Sequence, residues 1–68
     1  MISNDRELHA TLARIADFQR QVEHLRSVET NPANYRLSAA GFLAEIDRMN
    51  LAVREYLQLH PSELPTAV

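Results

Sequence analysis

The sequence contains no cysteine, no tryptophan and no lysine, and only a single glycine. Without cysteine there is no disulfide framework of the kind small secreted domains lean on, no thiolate zinc site and no thiol nucleophile. A reducing, cytoplasmic setting is therefore the expectation. Gly41 and three prolines cannot supply the turns that several short strands need. A lone glycine also excludes phosphate-cradling loops, dinucleotide fingerprints and nucleophile elbows. No window approaches the ~20 consecutive apolar residues of a membrane span. Met1 to Glu7 carries neither the basic nor the apolar region of a signal peptide, so no membrane partner is expected. Charge of one sign is missing as well: seven arginines are interleaved with nine acidic residues for a net charge of -2. That mixture offers no footprint for a polyanion, and no nucleic-acid binding is expected from this chain alone.

What is present is the ordinary composition of a globular chain, 46% hydrophobic and 24% charged over 68 residues, enough for one small domain. Asn4 followed by Glu7 has the spacing of a capping box. Behind it Leu8, Leu12, Ile15, Phe18, Val22 and Leu25 recur at steps of three and four, one face of a helix over about residues 5–28. Gln19, Arg26 and Glu29 lie on that face too, so its last third is less apolar than its middle. The stretch from Glu29 to Arg36 holds a proline and two asparagines and no period, and reads as a connection. Phe42, Leu43, Ile46, Met49, Val53, Tyr56 and Leu57 make the strongest stripe, placing a second helix over about residues 38–59. Ser38 is its expected N-cap, with a start at Asn34 as the alternative, and Pro61 its end. Residues 61–68 are expected to be a flexible tail behind a hairpin over residues 1–60.

The fold class that follows is all-α: an antiparallel two-helix hairpin, dimerising into a four-helix bundle because each stripe is wider than one partner helix covers. The thirteen stripe residues are its expected core and interface. Ala40, Ala44 and Leu51 form a second, weaker apolar line on the far side of the second helix.

Chemistry is hard to find. No glutamate stands three residues before any histidine, and no His-Glu-x-x-His pattern occurs, so neither metal nor cofactor is expected. His9 and His24 lie fifteen residues apart, about 22 Å along a helix, too far to share an ion within one chain. His60 is expected to favour the C-terminus of the second helix. Arg14–Asp17, Asp17–Arg20, Glu23–Arg26 and Glu45–Arg48 are spaced as surface ion pairs. A hairpin has no walled cleft in which carboxylates could act as acid and base, and catalysis is not expected. A helix-turn-helix needs shorter helices, a tight turn and a basic recognition helix, whereas the second helix carries Arg48 and Arg54 against Glu45, Asp47 and Glu55.

The opening Met1-Ile2-Ser3-Asn4-Asp5-Arg6-Glu7-Leu8 through Phe18, with Ala44-Glu45-Ile46 and Val53-Arg54-Glu55-Tyr56-Leu57, resembles the N-terminal helical hairpin of bacterial HigA-like antitoxins and of short bacterial proteins made of the hairpin alone. It covers roughly residues 1–59. The resemblance implies an oligomerisation role for Phe18, Ile46 and Tyr56; the protein partner expected besides a second copy is a toxin or a larger complex. Two other readings stand beside it: an adaptor hairpin docking on a larger complex, and a metal protein or enzyme only if assembly joins His9 and His24 of different chains.

Overall fold

The computed structural model describes residues 1–64 and contains two long α-helices, α1 (Asp5–Val28) and α2 (Pro32–Leu57), followed by a 3-10 turn, Pro61–Glu63. Among the described residues there is no strand. A link of only Glu29, Thr30 and Asn31 sends α2 back along α1, giving an antiparallel hairpin with extents of 49 × 15 × 14 Å.

The start of α1 follows its sequence signal. Asn4 is extended, with φ of -156° and ψ of 171°, and its Oδ1 accepts from the Glu7 backbone N–H at 2.8 Å. Glu7 Oε1 reaches back to the Ser3 N–H at 2.7 Å, one residue before the position a strict capping box would use. Asp5 and Glu7 also place negative charge in the first turn, where the helix dipole favours it.

The start of α2 corrects the sequence reading: the helix begins at Pro32, not near Ser38, and the connection is three residues rather than eight or more. Asn31 is the N-cap, its Oδ1 accepting from the Ala33 and Asn34 backbone N–H groups at 2.9 and 3.2 Å. Pro32 stands where its missing N–H costs nothing and where its fixed φ already suits a helix. The residue before a proline is pushed out of the α region, and Asn31, at φ -96° and ψ 116°, is held in the conformation a cap needs. The residues that looked like a loop are thus a helix start. At the other end α2 stops at Leu57, with Gln58 as its C-cap.

Gly41 consequently sits inside α2 rather than in its first turn, and a Cβ built there meets nothing within 4 Å. No close backbone approach explains it. Gly41→Ala is expected to raise stability by ~0.5–1 kcal/mol, since alanine removes unfolded-state freedom without a clash. An unchanged or lower thermal midpoint would contradict this.

Residues 61–64 are not the loose tail expected from sequence. His60 Nδ1 accepts from the Ser62 N–H at 3.1 Å while Glu63 Oε2 accepts from the His60 N–H at 2.8 Å, which closes the turn. Leu64 packs against the core. The rest of the expected tail, residues 65–68, lies outside the described residues.

Among the described residues the core is built on a cluster of Leu8, Ile15, Ile46, Met49, Val53 and Tyr56, with Ile2, Phe18, Val22 and Leu64 packed against it. Phe18 and Phe42 meet edge to face across the helices, with ring centroids 5.6 Å apart. Ala39, only 1% exposed, is the most buried apolar residue among the described residues and was absent from the expected core.

Candidate interaction surface

The helices are held in register by two cross-links of different chemistry. The Phe18–Phe42 pair lies toward the loop, and at the open end the Tyr56 hydroxyl donates to Asp5 Oδ1 at 2.6 Å. The carboxylate accepts only the protonated phenol. That hydrogen bond, with burial and then the charges of Asp5 and Glu7, pushes the Tyr56 pKa from 10.0 to about 12. Stability drawn from the protonated phenol is therefore complete below pH 10 and is lost as pH rises from 10 toward about 12, because the unfolded chain ionises first. In a Tyr35→Phe background, which isolates Tyr56, absorbance should show phenolate forming near pH 12, and Asp5→Ala should move that midpoint back toward 10. A midpoint unmoved by Asp5→Ala would disprove the cause assigned.

This register sorts the two flanks of the hairpin. In antiparallel neighbours, residues offset from the contact line in the same rotational sense lie on the same side of the pair. Phe18, Phe42, Met49 and Tyr56 each follow Ile15, Ala39, Ile46 or Val53 by three residues, and all are buried or half-buried. Ile2 adds to this flank's cover by packing on the core. The opposite flank is built from residues four positions after a buried one: Leu12 after Leu8, Leu43 after Ala39, Asn50 after Ile46 and Leu57 after Val53. These stay open. Leu12, Leu43 and Leu57 are 43%, 46% and 63% exposed.

Of the thirteen residues expected to form core and interface, Leu8, Ile15, Ile46, Met49, Val53 and Tyr56 are buried, and Phe18, Val22, Leu25 and Phe42 are half-buried. The remaining three are the open leucines. The stripe was wider than one neighbouring helix covers, and its uncovered margin falls on one side. On the far face of α2, Leu37 and Leu51 are exposed as well, at 78% and 54%, beside exposed Ala40 and Ala44. Leu37 had no place in the sequence reading because it fell between the presumed connection, Glu29 to Arg36, and the helix expected from about residue 38.

The chain exposes 5465 Å² in all, against about 4,400 Å² for a compact monomer of 7.8 kDa, as its elongated shape requires.

The polar candidates are dispersed. His9 and His24 are exposed on α1, and His60 caps the 3-10 turn instead of the end of α2. Among the described residues, no group of three or more histidine, aspartate or glutamate side chains is placed to hold a metal. Of the four expected ion pairs, Asp17–Arg20 and Glu45–Arg48 form, the latter at 2.9 Å, and Arg14–Asp17 and Glu23–Arg26 do not among the described residues. No helix of the described residues is long and apolar enough to cross a membrane. No family model, curated protein or solved structure matches the chain.

Proposed function

We propose that this chain is a small non-enzymatic helical module for oligomerisation and protein interaction, a homodimer that completes a four-helix bundle and serves in a toxin–antitoxin setting. The observation that carries the reading is the open flank, where Leu12, Leu43 and Leu57 remain exposed beside a core of few residues. Small cores of this kind are marginal alone and are commonly completed by association. The resemblance to HigA-like antitoxin hairpins supplies the toxin as a second partner. Sedimentation equilibrium at micromolar concentration should return twice the chain mass with a concentration-dependent melting temperature. A 7.8 kDa species with a sharp, concentration-independent transition would overturn the homodimer.

A second reading, an adaptor docking on a larger complex, is favoured by Leu37 and Leu51 on the far face of α2, which a bundle built on the open flank leaves uncovered. Co-expression with the genomic neighbours separates the two: co-purification with a small toxin-like protein supports the first, and recovery only within a large assembly supports the second.

A further inference from the structure

The open flank has a self-complementary pattern. Along α2, Leu43, Asn50 and Leu57 recur every seven residues and are symmetric about Asn50. Asp47 and Arg54, on the adjoining line, stand three residues before and four after that centre. Both are exposed, and neither forms an ion pair within the chain among the described residues. We infer that a second copy of this chain docks on this flank about a two-fold axis at Asn50, with α2 antiparallel to its counterpart. The inference rests on the oligomerisation reading above and adds the face, the orientation and the register.

A two-fold interface requires that if one residue meets another, the reciprocal contact also forms. Antiparallel α2 helices centred on Asn50 satisfy this in every layer. Leu43 meets Leu57 of the other copy twice, and Asp47 meets Arg54 twice with opposite charge. The two Asn50 amides face one another, where each can donate and accept. A single polar residue at the middle of an apolar seam fixes register, because any slip leaves an amide against leucine. The same axis places Leu12 beside its counterpart, since the register that joins Asp5 to Tyr56 puts Leu12 about one residue from the level of Asn50. The loop ends then overhang the contact. Arg26 and Arg36, on the loop third of this flank, then lie outside the contact. The alternative two-fold, with both loops at one end, sets Leu12 against Asn50 and Arg26 against Arg36, and fails on both counts.

The test is a charge swap read by sedimentation velocity. Asp47→Arg alone and Arg54→Asp alone should each weaken the dimer on the order of tenfold, because each turns two attractions into two repulsions. The double variant Asp47→Arg/Arg54→Asp should restore it to within about twofold. In this cysteine-free chain, Asn50→Cys should form a disulfide-linked dimer on mild oxidation, whereas His24→Cys should not. A dimer in which the double variant is as weak as the singles and Asn50→Cys does not cross-link overturns this face and leaves the oligomerisation reading standing. A monomer throughout overturns both.

Discussion

Ile46→Ala is expected to lower the free energy of unfolding by ~2–5 kcal/mol, whereas Gln21→Ala on the exposed face of α1 should change it by no more than ~0.5 kcal/mol. Ile46 is 6% exposed and belongs to the one buried cluster, at the level where Ile15 of α1 comes across. Removing three carbons there takes away apolar burial and leaves a void that neighbouring side chains fill only in part, because both helices are held by the flanking contacts Phe18–Phe42 and Tyr56–Asp5. A chain of 68 residues has roughly 3–10 kcal/mol of stability by the usual per-residue range. The substitution should therefore leave a substantial unfolded fraction at 25 °C. Denaturant melts at matched protein concentration decide it, and equal effects at positions 46 and 21 would show that the contact line of α2 has been misplaced.

The contact line was legible from residue spacing because six of the thirteen stripe residues fall on positions that the packing of the two helices buries. The first helix was legible to its ends: Asn4 and Glu7 mark a start that local hydrogen bonds decide, and Asn4 accepts from Glu7 as their spacing requires. The start of α2 was not. Asn31-Pro32-Ala33-Asn34 has the composition of a turn, and the same residues make a capped helix start once Asn31 bonds the N–H groups at 33 and 34. Spacing could have found it, since stepping back seven from Ile46 reaches Ala39 and four more reaches Tyr35, both on the covered side. Alanine gave that step no weight. The open flank was hidden for a different reason: periodicity gives the width of an apolar stripe, but how much of it one neighbour covers depends on the rotation of α1 against α2. Leu12, Leu43 and Leu57 read as core and emerge as surface for that reason.

Ala39→Leu is expected to destabilise the hairpin by ~1–3 kcal/mol, although leucine is the better core residue by hydrophobicity. Ala39 is 1% exposed, and the register that pairs Phe18 with Phe42 places it across from Val22, within two turns of the N-terminus of α2. A three-residue connection allows the helices little separation at that end, and interhelical distances of about 8–10 Å are set by the side chains at the contact. A small residue is what lets the backbones close there. Leucine would have to push α2 outward, and the displacement would be resisted by the Asn31 cap on one side and the Phe18–Phe42 contact on the other. Ala44→Leu, five residues on and exposed on the far face, adds the same atoms without that constraint and should be near neutral, within ~0.5 kcal/mol. Thermal melts of the two variants at one concentration give the comparison. A gain in stability for Ala39→Leu would mean that the helices stand apart at this level and that burial there comes from a gap too narrow for water, not from close approach.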